Sequence, residues 1–255
     1  MIGRSSRMPV LPHLVLALLL TGAAVATSTG ASERQQPFSE AALFFELNDT
    51  DGDLGIHASI DGEAWTNLEI EGPNDRELLN IVSKGRLRRQ GLTQLFFESA
   101  EPSFDELDPA DFFMRFPEGP YDIEARAQGG GSLESTVFLS HVLAAPPENI
   151  LVSGVPAAED CDADVPFVTT PVVIRWDPVT QSHPEIGKSG PIQVSRYQLF
   201  VERDGVNLGL DLPPTVTEFE VPTGLTNLGT EFKFEIIART TTGNNTAVES
   251  CFRVQ

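Results

Sequence analysis

The residues best suited to chemistry fall in the run Asn48-Asp49-Thr50-Asp51-Gly52-Asp53-Leu54-Gly55. Carboxylates at Asp49, Asp51 and Asp53 alternate, which turns their oxygens to one side of a tight loop. Calcium takes six to eight hard oxygen ligands, and such a loop supplies about half of them. Asp61 is the expected fourth carboxylate, approaching from a neighbouring strand end. Calcium is therefore the one cofactor this sequence offers. The spacing is not that of a twelve-residue calcium loop between helices: Leu54 stands where glycine is required, and Ile60 stands at the twelfth position in place of a glutamate. A solvated turn is the competing reading, since Asp, Asn and Gly favour turns on their own account.

A second group, Glu98, Glu101 and Asp105, lies among Phe96, Phe97 and Phe104. Paired carboxylates beside aromatics suit the acid and base of a glycosidase. Two glutamates three residues apart at a strand end carry little specificity, and a loop of solvated acids explains them equally. A carbohydrate-active hydrolase using Glu98, Glu101 and Asp105 is accordingly the alternative to a non-catalytic protein. His57, His141 and His183 have no zinc-ligand spacing. Ser140-His141 lacks the glycines of a nucleophile elbow. Gly129-Gly130-Gly131 lies between expected strands, with no helix to receive a phosphate. Lys84, Arg86, Arg88 and Arg89 form one basic island, expected as an exposed hairpin whose charge blunts a sheet edge. No catalytic residue and no organic cofactor site is assigned.

Compartment and charge constrain the partners. Residues 1–26 read as a signal peptide: Arg4 and Arg7, the apolar run 14–20, then Ala24-Val25-Ala26 as a small-residue cleavage site. The chain carries a formal charge of −20, and losing this leader makes it two units more negative. Such a surface repels nucleic acid and anionic lipid. No other stretch is apolar enough to span a bilayer. The expected location is secreted or periplasmic, and the expected partner a protein or glycan at the cell exterior. Cys161 and Cys251 are the two cysteines. In an exported chain an even count favours a disulfide, with free thiols as the alternative.

The elements that position these groups are mostly strands. Residues 27–40, rich in Ser, Thr and Gln, read as a flexible segment. Residues 41–143 read as a β-rich domain. Short apolar runs at 43–47, 56–60, 65–70, 78–82 and 92–97 are bounded by Gly, Pro and Asp. A hairpin is expected across Gly129-Gly130-Gly131. A short helical insertion is expected within 103–116, with Ser103 and Glu106 as a capping box and Pro109 as an interruption. The stretch 117–121 and the hairpin after it resemble the closing hairpin of exported bacterial Ig-like domains. Residues 144–165, with Ala144-Ala145-Pro146-Pro147 and an acidic run around Cys161, read as a linker.

Residues 166–255 carry a more specific pattern. Trp176 follows Val172-Val173-Ile174-Arg175, Tyr197 lies in a second alternating run, and Leu225 precedes a third run with Phe232, Phe234 and Ile236. A Gly243-Asn244 turn and a last strand ending at Val254 complete it. This order resembles a fibronectin type III domain. The resemblance implies that Trp176 and Tyr197 fill the centre of a two-sheet sandwich, with Leu225 at the turn between the fifth and sixth strands. Two departures stand out. Phe232 occupies the usual corner tyrosine position and has no hydroxyl to bond the corner. The connection at 179–192 is long.

The fold class is therefore all-β: two β-sandwich-like domains, the second fibronectin type III-like. Such domains are usually binding or spacer modules. The expected function is an exported, non-catalytic binding or structural module, of a type found in exported bacterial proteins.

Overall fold

Strand β3, Asp53–Gly72, organises the first half of the fold. The computed structural model of the chain describes residues 34–162 and 164–255, so the leader and residues 27–33 lie outside the described residues. β3 is 20 residues long, joining runs that alternation alone reads as two separate strands. Its first part pairs with β2, Glu40–Asn48, on one edge and β5, Leu92–Glu98, on the other. Its second part pairs with β4, Arg76–Val82, and with β6, Gly119–Ala127. Register shifts between Asp61 and Trp65 mark the bend. Gly62 lies there, and a Cβ on it would meet Phe38 and Leu133 at 3.0 and 3.3 Å. One strand thus belongs to both layers of a sandwich.

β7, Ser132–Leu139, and the short β1, Gln35–Gln36, extend the second layer. Part of the segment expected to be flexible is therefore sheet. β6 shows why the layers close: Tyr121, Ile123, Ala125 and Ala127 are buried, while Asp122, Glu124 and Arg126 face solvent. These side chains meet Leu43, Phe45, Leu47, Ile56 and Ile60 from the other layer, with Trp65 fully buried among them. The helical insertion is α2, Pro109–Arg115. Pro109 starts this helix instead of interrupting it, because the first helical position needs no amide donor. Asp108 caps it by accepting from Ala110 N at 2.8 Å, and Phe112 and Phe113 pack into the core. The basic island is the short, exposed helix α1, Gly85–Gln90, and not a hairpin. Arg88 and Arg89 fall in its last turn, where positive charge complements the helix dipole.

The second half is a sandwich of the fibronectin type III-like kind. One sheet holds β8, Leu151–Val152, β9, Val155–Pro156, β11, Val172–Arg175, and β14, Glu218–Val221. The other holds β12, Val194–Arg203, β13, Val206–Leu212, β15, Glu231–Thr240, and β16, Asn245–Val254. β10, Phe167–Val168, joins the outer side of β16 in parallel. Trp176 sits between the sheets, 1% exposed, edge-on to Tyr197 at 5.4 Å. The Tyr197 hydroxyl accepts from Val179 N at 2.8 Å. Phe232 replaces the corner hydroxyl with packing, stacked on Phe252 at 5.1 Å. Leu225 is buried in the short helix α3, Thr223–Thr226.

Residues 144–165, expected as a linker, include β8 and β9; Val152 is fully buried in the second core. Leu143 belongs to the first hydrophobic cluster and Ala144 to the second. Cys161 and Cys251, 90 positions apart in sequence, form a disulfide with Cα atoms 5.1 Å apart. On the chain-entropy account a loop of that size stabilises by about 4–5 kcal/mol.

The two sandwiches share a sheet. β16 lies parallel to β2, with Asn245, Thr246 and Ala247 opposite Glu46, Leu47 and Asn48. All described residues fall in one compact unit. Among the described residues no helix is long and apolar enough to cross a membrane.

Candidate functional site

The shared sheet has one face on the two cores and one face outward. On the outward face β5, β3, β2, β16, β15 and β12 line a groove of about 360 Å³ across the seam. Alternation decides its lining. In β2, Leu43, Phe45 and Leu47 go to the core, so Phe44 and Glu46 face the groove. In β3, Ile56 and Ala58 go inward, so His57 and Ser59 face out. β15 contributes Glu235 and Arg239, and β12 contributes Arg196 and Phe200. Phe96, 56% exposed, and Glu98 close the β5 side.

The seam holds these strands in register with buried polar contacts. Asn244, 1% exposed, accepts from Phe45 N at 3.0 Å and donates to Ser140 O at 2.8 Å and Val142 O at 3.0 Å. Thr246 Oγ1 donates to Ala144 O at 2.9 Å. Glu249 N donates to Thr50 Oγ1 at 2.8 Å. The long 179–192 connection is a second strap. His183 N donates to Leu143 O at 2.9 Å, Ile186 packs on the first core, and Lys188 pairs with Glu118.

The electrostatics of the groove are dominated by crowded carboxylates. Burial pushes the Glu235 carboxyl up to about 7, reinforced by Glu46 and Glu249. Glu235 lies directly opposite Glu249 in the β15–β16 ladder. Lys233 pairs with Glu249 and offsets part of this repulsion. Arg239 lies over the Phe44 ring at 4.5 Å, and burial lowers its pKa, followed by the nearby Arg196.

The four aspartates read as calcium ligands are not brought together. Residues 49–52 are the β2–β3 turn. Asn48 Oδ1 accepts from Thr50 N and Asp51 N, and Gly52 has φ 67°. Asp49 Oδ1 is engaged by His183 Nε2 at 3.0 Å; His183 Nδ1 accepts from Ile186 N, so Nε2 carries the proton. Burial pushes Asp53 up to about 6, with Glu101 and Asp51 adding to it. Asp61 stands opposite Glu40 at the far end of the β2–β3 ladder from Asp53. Eight residues of strand put it about 26 Å from Asp53.

The second group is also divided. Asp105 is exposed in the turn after β5. Glu98 is the ladder neighbour of His57, and Glu101 Oε1 meets His57 Nε2 at 2.7 Å. Glu46 Oε2 lies 4.0 Å from His57 Nδ1. Among the described residues, Glu46, His57 and Glu101 bring one potential metal-ligating atom each within 4.8 Å of one another. Sequence reasoning missed this trio. A signal existed: a turn at 49–52 sets Glu46 opposite Gly55, which puts Glu46 and His57 on one face.

No family model matches the chain, and no curated protein matches it. Among solved structures, a two-domain fibronectin type III segment of chicken tenascin is similar at 12% identity, over 85% of this chain and 98% of that one, with a TM-score of 0.27. The human OSCAR ligand-binding domain is similar at 10% identity, over 88% of this chain and 97% of that one, with a TM-score of 0.26. A 1.5-MDa bacterial ice-binding adhesin is similar at 11% identity, over 87% of this chain and 66% of that one, with a TM-score of 0.24. Likeness at this level carries no argument about function; the strand order above carries the fold.

Proposed function

We propose that the chain is an exported, non-catalytic binding module whose seam groove receives a protein segment at the cell exterior. The observation that carries this reading is the continuous outward face of the shared sheet, where aromatic and charged side chains from both sandwiches converge on one groove. The disulfide fits an oxidising compartment, and the leader-like residues 1–26 supply the route.

A protein partner suits the groove better than a sugar. Sugar sites use exposed flat aromatics with a polar edge, Trp and Tyr above all. Both tryptophans and both tyrosines are buried here: Trp65 0%, Trp176 1%, Tyr121 2% and Tyr197 1% exposed. The exposed ring is Phe96, flanked by Glu98 and by the Arg196–Arg239 side of the groove. Apolar anchors with a charged rim are how protein interfaces are built.

The test compares the chain with Phe96→Ala and Arg239→Glu variants, immobilised against cell-surface protein extract and against a glycan panel. A protein captured by the native chain, with capture lost at least tenfold in both variants, is the expected result. Capture of glycans alone, or turnover of chromogenic glycosides abolished by Glu98→Gln, would replace this reading with the carbohydrate one.

A further inference from the structure

We infer that Glu46, His57, Glu101 and Asn245 form a binding site for one divalent transition metal of the zinc class, which ties the two sandwiches together at the seam. The inference does not depend on what the groove binds.

Each donor is held by a different element. Glu46 comes from β2, His57 from β3, Glu101 from the loop after β5, and Asn245 from the first residue of β16. The donor atoms of Glu46, His57 and Glu101 lie within 4.8 Å of one another. His57 is only 3% exposed, whereas Glu46 and Glu101 are 24% and 37% exposed. The site is thus closed below by imidazole and open above through the carboxylates.

Two further observations point to a ligand. Asn245 is 3% exposed and lines the same groove, and its Nδ2 donates to Glu46 Oε2 at 2.6 Å. The Oδ1 on the same amide carbon is buried with no hydrogen-bond partner. A buried amide oxygen without a partner costs about 1–3 kcal/mol, and a metal ion would satisfy it. The second observation is Gly55. Its φ does not require glycine, yet a Cβ there would lie 2.5 Å from Glu101 Oε1 and 3.0 Å from His57 Nε2. The missing side chain is the space through which Glu101 reaches His57.

The donor set selects the metal. Calcium takes oxygen ligands, so a buried imidazole disfavours it; one nitrogen with carboxylate oxygens suits zinc and its neighbours. Metal–ligand bonds of about 2.0–2.2 Å in a tetrahedral array set donors roughly 3.3–3.6 Å apart. A metal takes one imidazole nitrogen: Glu101 Oε1 stands 2.7 Å from Nε2 and Glu46 Oε2 4.0 Å from Nδ1, so Glu101 withdraws slightly and Glu46 turns toward Nε2 to complete the array. Glu101 is the most exposed of the four and sits on a loop, so it is the ligand best able to move.

The experiment is zinc titration of the purified, chelator-treated chain by calorimetry, with the melting temperature read in parallel at pH 7.5. One zinc per chain is expected, with a rise in melting temperature, because a ligand that binds only the folded state stabilises it. Calcium at the same concentration should leave the melting temperature unmoved. Glu101→Gln and Glu46→Gln, both partly exposed and able to fold, should each weaken zinc at least tenfold. Gly55→Ala should weaken it as much by displacing Glu101. Asp105→Asn, an exposed acid outside the site, should leave zinc affinity unchanged. No zinc-dependent shift in the native chain, or an affinity that Glu101→Gln and Asp105→Asn alter equally, would overturn the site.

Discussion

Glu235 shows how a single residue can make stability depend on pH. Its carboxyl faces Glu249 across the ladder and Glu46 across the seam, in a position that burial already makes unfavourable for charge. The folded value of about 7 lies above the ordinary glutamate value of 4.5. A raised carboxyl binds its proton more tightly in the folded state, so folding loses stability as pH rises from about 4.5 through 7 and is fully penalised above that. A gap of that size corresponds to about 3 kcal/mol, reduced to about 1–2 kcal/mol by the partial exposure of the side chain. Glu235→Gln should therefore raise stability by about 1–2 kcal/mol at pH 8 and by much less at pH 5. Urea unfolding of both proteins at the two pH values measures this, and an equal gain at both would show that the charge is not the cause.

The 179–192 strap is an element whose length the fibronectin-like pattern leaves unexplained. The structure supplies the reason: the connection is long because it leaves its own sandwich and packs on the other. Gly187 is its hinge, with φ 77° and its α-carbon so close to His141 O that any Cβ would collide with that backbone oxygen. Lys188 N donates to the same oxygen at 2.8 Å. Gly187→Ala meets both a left-handed backbone and a rigid carbonyl, so it should cost about 2–3 kcal/mol. The Gly224→Ala change, in a position with open space around it, is the control and should stay within about 1 kcal/mol. Equal melting temperatures for the two variants would mean that the strap is not docked as described. Strands whose side chains alternate were legible from sequence, β6 and β15 most clearly. The strap was not, because nothing local in residues 179–192 records a surface more than 30 residues away.

At the scale of the whole molecule, the informative contact is between Glu46 and Asn245, neighbours in a parallel ladder although 199 positions apart. Local patterning carries β2 and β16 as strands but contains no record of their pairing. The trio of Glu46, His57 and Glu101 was half-legible, since the hairpin register aligns the first two, whereas Glu101 arrives through a loop. The same shared sheet argues that the two hydrophobic cores unfold together. Asn244 is the polar pin of the seam, and removing its amide leaves Phe45 N, Ser140 O and Val142 O without their partner. Each buried group left unsatisfied costs about 1–3 kcal/mol, so Asn244→Ala should weaken the seam by several kcal/mol while leaving both cores intact. Scanning calorimetry of the native chain should then give one transition, with calorimetric and van't Hoff enthalpies equal. The Asn244→Ala chain should give two, the one at lower temperature belonging to one sandwich released from the other. Two transitions already present in the native chain would show that the seam does not couple the halves, and that the sandwiches are independent despite their common sheet.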